Sequence, residues 1–192
     1  MAIDPNAIGN FPDLVKLLEK DGVLHKTDIP EQTVQIPTQR GELDSVLLMR
    51  WQESDGVIQF IQALPIEIPA DKLLLLSDAL TRLNHALAIP GFDLNHEHGL
   101  IAYRLYLPIY PRGSVRPNEV QAMFRLTVKT AADFFPTIRR IIAGEIQPES
   151  IVDEAKKAWE AAAAAAQPAP AKPPTGTPPA GNGQTPPGAN MY

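Results

Sequence analysis

Two apolar runs, residues 46–52 (VLLMRWQ) and 57–63 (VIQFIQA), flank Ser54, Asp55 and Gly56, and no other feature constrains the fold as much. Both runs are rich in aliphatic and aromatic residues, which suit a pleated, half-buried surface. Asp-Gly is among the strongest short-range hairpin signals, because tight hairpin turns need the positive φ that these residues tolerate. The pair predicts an antiparallel hairpin. Pro65 and Pro69 end the sheet segment, since proline has no N–H to give to a central ladder.

The rest of the body alternates between helical and strand periods. Phe11, Leu14, Val15 and Leu18 recur at helical spacing, and Gly22 is placed to end that helix. Residues 33–36 add a strand-like stretch. Residues 71–87 predict a helix with Leu73, Leu76, Leu80, Leu83 and Leu87 on one face, stopped by Pro90 and Gly91. Residues 92–94 and 100–110 read as strands, with His96, Glu97, His98 and Gly99 as the turn between them. Because 100–110 is apolar on both faces, the expectation is a central strand covered on each side. Residues 117–142 form the longest helical stretch, with Pro117 at a tolerated first-turn position and Pro136 expected to kink the helix or split it in two. A last helix, from about 148 to 166, carries Ile151, Val152, Ala155, Ala158, Trp159 and Ala162 on its apolar side.

The predicted class is α+β: an antiparallel sheet of about five strands packed with helices, in α-β-β-β-α-β-β-α order, plus an extra C-terminal helix. The missing βαβ alternation argues against a dinucleotide-binding fold. The division is an α+β domain over 1–146, an additional amphipathic helix over 147–166, and a tail over 167–192. Between Gln167 and Asn190 the tail holds eight prolines, four glycines and a single charge, Lys172. Such a stretch cannot bury enough apolar area to offset its ordering entropy, so it is expected to be disordered and partly polyproline-like, with PxxP-like spacings at 170–173 and 174–178.

Several positions resemble the YbjN-like family, whose fold is similar to that of type III secretion chaperones. They are Leu80, Leu83 and Asn84; then Gly91, Phe92, Asp93 and Leu94; then Ala102, Tyr103, Arg104, Leu107 and Pro108; then Ala132, Asp133 and Pro136 on the long helix. Trp51 with Asp55 and Gly56 upstream also fits, and the resemblance covers roughly 10–143. It implies a compact domain, often dimeric, with regulatory or chaperone-like protein binding and no catalytic residues. The last helix and the tail depart from that pattern.

The residues themselves offer little chemistry. His96 and His98 are the best metal candidates, with His85 as a conceivable third ligand, because a His-x-His pair on a strand points both rings to one side. A polar hairpin turn with solvated histidines explains the same residues without a metal. Ser77, Asp78 and His85 have the residue types of a hydrolase triad, but seven or eight residues along a helix is about 11–12 Å, beyond hydrogen-bond reach. No phosphate-binding glycine loop is present. The chain has no cysteine, which removes disulfides, thiolate zinc sites and cysteine nucleophiles. Its formal net charge of -5 lacks the basic footprint of a nucleic-acid binder. Arg139 and Arg140, late in the long helix, suit its macrodipole. No apolar run approaches the roughly 20 residues a membrane helix needs, and no signal peptide is evident, so the expected location is the cytoplasm.

What remains is a non-enzymatic protein-interaction module, regulatory or adaptor-like, without a cofactor. The alternative is a small ligand- or metal-binding sensor using the His96/His98 turn. Four consecutive leucines, Leu73 to Leu76, exceed what one stripe can bury, which leaves Leu74 for a second surface. Leu74, Val152, Ala155 and Trp159 are therefore the expected protein-binding residues, and a homodimer is the expected assembly.

Overall fold

The computed structural model describes residues 7–165 of the chain. In order, the elements are α1 (Phe11–Lys20), β1 (Lys26–Asp28), β2 (Thr33–Arg40), β3 (Leu43–Gln52), β4 (Val57–Leu64), α2 (Leu73–Ala86), β5 (Phe92–Asn95), β6 (Leu100–Pro108), α3 (Pro117–Ile142) and α4 (Ile151–Ala165). The six strands form one sheet in the order β1-β2-β3-β4-β6-β5, and every neighbouring pair is antiparallel. The fold is α+β, as the sequence predicts, with one strand more than the approximate count.

Local chemistry sets the boundaries. The Asn10 side chain accepts the Asp13 backbone N–H at 2.9 Å and so caps α1. Backbone bonds from Asp21, Gly22 and Val23 back to Leu17, Glu19 and Leu18 close its other end. At the β3–β4 turn, Gly56 has φ +62°, and a Cβ there would lie 2.9 Å from that of Tyr110. Only glycine meets both demands.

Register fixes which side chains meet. Val34 opposes Met49, Met49 opposes Phe60 and Phe60 opposes Leu105, while Ile36, Leu47, Gln62 and Tyr103 form the adjacent row. All eight are buried, and α3 lies across this face of β2, β3, β4 and β6. Phe92 ties β5 into the same core, with its ring 4.9 Å from Tyr103 and 5.9 Å from Phe134 of α3, the latter edge-on.

Three expectations need correction. A strand, β1, precedes the predicted ones; it has three residues, two of them charged and exposed, so no alternation could reveal it. Of the two outcomes expected at Pro136, a kink or a split, the split does not occur: α3 runs on through the proline. Phe134, Phe135, Ile138 and Ile141 around the proline are all buried. Burying four such side chains contributes several kcal/mol, more than the roughly 3 kcal/mol an interior proline costs. Third, β6 is central in the sheet but covered on one side only. Ile101, Tyr103, Leu105 and Leu107 are buried, whereas Leu100 and Tyr106 are more than half exposed.

Candidate interaction surface

The uncovered sheet face is built from the residues between the buried ones. One cross-strand row is Gln35, Leu48, Ile61 and Arg104; the next is Thr33, Arg50, Gln59 and Tyr106. Pro37 opposes Val46 on one side of the sheet, and Ala63, Ala102 and Asp93 line up on the other. Val46 is 44% exposed, Leu100 58% and Tyr106 51%, with Leu48 and Ile61 half-buried between them. A sheet face meant for water alone would alternate to polar residues here. This one keeps aliphatic and aromatic side chains at its centre and sets its charges around them.

Two contacts order that face. Gln59 is almost fully buried, and its amide donates to the Tyr106 hydroxyl at 2.9 Å, which fixes the tyrosine over β4. Arg104 reaches Asp93 on the neighbouring β5 at 2.9 Å. That pair is partly exposed, so its contribution is modest, on the order of 0–1 kcal/mol.

The sheet's edges are closed by different means. Asn84 of α2 covers β5: its side-chain oxygen accepts the Gly91 and Phe92 N–H groups at 3.1 and 2.9 Å, and its amide donates to the Phe92 carbonyl at 2.7 Å. At the opposite side, β1 pairs only with Thr33, Val34 and Gln35, which leaves the remainder of β2 on the margin. Pro37 sits in that margin and has no N–H to offer a further strand.

The residues nominated from sequence fall in several places. Leu74 is 81% exposed on the first turn of α2. Ala155, expected on a binding surface, is 3% exposed in the chain's own core, and Val152 is half-buried beside it. Their stripe docks on α2 and α3 of the same chain, helped by Arg140, which bonds Glu154 at 2.9 Å. Trp159 belongs to α4, but its side chain lies outside the described residues, as does the tail from 166 onward. Apolarity on both sides of 100–110 predicts coverage on both sides, whereas the structure covers one and leaves this face open among the described residues.

His96 and His98 stand in the turn between β5 and β6, not on a strand, so the rule that aligns an i, i+2 pair does not apply. Asn95 shapes that turn by accepting the Glu97 and His98 N–H groups at 3.0 and 3.1 Å. No group of three metal-binding side chains comes together among the described residues. Asp78, from the triad types, instead pairs with Arg82 at 2.9 Å. The arginines at the ends of α3 are likewise engaged. Arg112 and Arg116 bond Glu119, and Arg139 reaches Glu42. Glu119 also accepts the Arg116 backbone N–H at 2.8 Å. That bond first, and the two guanidinium groups after it, hold the Glu119 carboxyl down at about 2. Among the described residues, no helix is long and apolar enough to cross a membrane.

The chain matches the model of a family described as "YbjN: Putative bacterial sensory transduction regulator" over residues 15–140. The chain belongs to the YbjN family. Among solved structures it is similar to YbjN from E. coli, described as "a putative transcription regulator", at 14% sequence identity and a TM-score of 0.49. The similarity covers 76% of this chain and 93% of the other. No curated protein sequence matches. The matched span begins within α1 and ends near the close of α3, so it takes in the whole sheet and stops before α4.

Proposed function

We propose that this YbjN-family chain is a non-enzymatic regulator that works by binding another protein chain across its open sheet face, and that a second copy of itself is the first such partner. The observation that carries the reading is the contrast between the two faces of one sheet. One is sealed by α3 and its neighbours; the other holds Val46, Leu48, Ile61, Leu100 and Tyr106 with no element over them among the described residues.

The energetics suit this use. Sheets stack face to face at about 10 Å, which buries such side chains without new backbone bonds. Each 40–60 Å² of apolar surface hidden from water would add roughly 1–1.5 kcal/mol. With Asn84 on the Phe92 backbone and Pro37 in the β2 margin, edge pairing is disfavoured and face packing is the favoured mode of association. The family's description as a regulator agrees with a binding role. Adaptor or chaperone action on a client would use the same face or the exposed Leu74.

Sedimentation of the full chain at micromolar concentration tests the reading. The wild type should sediment as a dimer. Val46→Glu combined with Leu100→Glu should give a folded monomer, since both positions already face solvent in the single chain. Leu74→Glu should leave the dimer intact. A wild-type monomer, or a dimer dissolved by Leu74→Glu and untouched by the sheet variants, would overturn the assignment.

A further inference from the structure

Where α1 ends over the sheet, a pocket of about 240 Å³ opens between that helix, β3 and the first turns of α3. A glycine shapes its lip. Gly22 has φ +67° and turns the chain back, so that the Val23 N–H bonds the Leu18 carbonyl at 2.9 Å and Val23 joins the lining. Leu17, Leu18, Met49 and Val120 form the inner wall, and none is more than 9% exposed. Phe124 stands half-buried on α3, one turn beyond Val120. Packed interiors leave few voids larger than a water molecule. This pocket exceeds the roughly 150 Å³ of an apolar cavity that takes up benzene. In proportion to benzene's six carbons, it admits about ten non-hydrogen atoms.

Polar side chains meet only at the mouth, where Asp21, Gln121 and Arg125 are partly or wholly exposed. The Gln121 amide donates to Asp21 at 2.7 Å, a strap from α3 to the end of α1. Arg125 follows Gln121 by four residues, so the two share a face of α3. Arg139 and Arg140 of the same helix pair with Glu42 and Glu154, whereas Arg125 makes no ion pair or hydrogen bond among the described residues. Asp21 opposes an anion at this mouth, but its carboxylate is engaged by the Gln121 amide and the Arg125 guanidinium is uncommitted. A planar fork of N–H donors at the entrance of an apolar pocket is matched by a carboxylate on an apolar tail.

We propose that this pocket binds a medium-chain monocarboxylate, a saturated acid of about eight carbons, with its tail against Leu18, Met49 and Val120 and its carboxylate on Arg125. The carbons and the two carboxylate oxygens together come to about ten non-hydrogen atoms, the number the volume admits. The tail leaves water for an apolar wall, and the flexible thioether of Met49 adapts to its shape. Met49 and Leu48 are successive residues of β3 and point to opposite sides of the sheet. The pocket therefore lies on the helix-covered side, and its ligand does not depend on the protein-binding role proposed for the open face.

Sodium octanoate titrated into the full chain, with the methionine methyls ¹³C-labelled, tests this. Met49 lines the pocket and Met123 does not, so one reports and the other is the control. The Met49 methyl should shift saturably with a Kd below about 1 mM, the range for about ten non-hydrogen atoms of ordinary efficiency, while Met123 stays in place. Octylammonium should bind at least about tenfold more weakly than octanoate. Arg125→Gln should weaken octanoate about fivefold or more, and Arg125→Glu should reverse the preference between the two probes. Arg125 is exposed, so both variants keep the fold. Affinity should climb from butanoate to octanoate and level off by decanoate. A Met49 methyl that stays unmoved or shifts without saturating, octylammonium bound as tightly as octanoate, octanoate binding unchanged by Arg125→Gln, or affinity still climbing at dodecanoate would each overturn the assignment.

Discussion

Replacing Asn84 by alanine tests the link between α2 and the edge of the sheet. The side chain meets three backbone groups at once: N–H of Gly91, N–H of Phe92 and the carbonyl of Phe92. Only one orientation of the amide satisfies all three, since the flipped form would set oxygen against the carbonyl and NH₂ against the two donors. A net contribution of about 1 kcal/mol per bond gives roughly 2–3 kcal/mol for the truncation, because the three partners lie half-buried beside β6 and lose their replacements. For a chain of this size that is a fall in Tm of about 5–10 °C. Urea unfolding should show the lower midpoint with an unchanged slope, as expected when stability alone changes. Asn84→Asp keeps the two acceptor contacts but sets a carboxylate oxygen against the Phe92 carbonyl, so at neutral pH it should lose at least as much as Asn84→Ala. Amide exchange at Gly91 and Phe92 should quicken in Asn84→Ala before the core opens. A loss below about 0.5 kcal/mol, the range of ordinary surface positions, would show that Asn84 closes nothing.

Two further outcomes follow from the site descriptions. Glu119→Gln removes a carboxylate whose folded pKa is depressed to about 2 from an ordinary 4.5, so its stabilisation is complete above about pH 4.5 and fades as pH falls toward 2. The gap from wild type in urea unfolding should be about 0.5–1.5 kcal/mol at pH 7 and shrink across that window; a gap that widens in acid would contradict the assignment. His96→Ala with His98→Ala should change stability by less than about 0.5 kcal/mol, and added zinc should leave the Tm of both proteins unmoved.

The helices and the β3–β4 hairpin were legible because their periods are long and their punctuation is chemical. Gly22 ends α1, Pro117 starts α3, and Gly56 turns the hairpin. The residues that carry the family resemblance turn out to have a shared physical cause. Asn84 bonds Gly91 and Phe92, and Gly91 must be glycine because a Cβ would stand 2.5 Å from the Arg104 carbonyl and 2.9 Å from the Tyr103 ring. A Leu-Asn on one helix and a Gly-Phe after it are thus two halves of one contact. β1 was illegible because three residues cannot display a period of two. Ala155 was misplaced because a helical stripe shows which side is apolar and not what it meets. The groove of about 280 Å³ between Phe11, Trp51 and Tyr110 had no local signal at all, since its parts come from α1, Gln32, the β3–β4 turn and the segment after β6.

The same limit explains the sheet face, and the edges bear on the use proposed for it. Alternation along a strand reports apolarity; coverage depends on how many helices the chain can lay down and on which side they fall. Here α3 crosses one face and α2 and α4 pack beside it, so the second apolar face is left over. A leftover face would be a hazard if the sheet could also grow sideways, because flat apolar sheets with open edges add strands without limit. This chain discourages growth at both margins. Asn84 occupies the β5 edge, and Pro37 with the charged, three-residue β1 interrupts the other. Association through the remaining face is self-limiting: once two sheets stack, each covers the other and no further apolar surface is offered. Guarded edges combined with an open face therefore favour a finite complex over a polymer, which is what the proposed binding role requires.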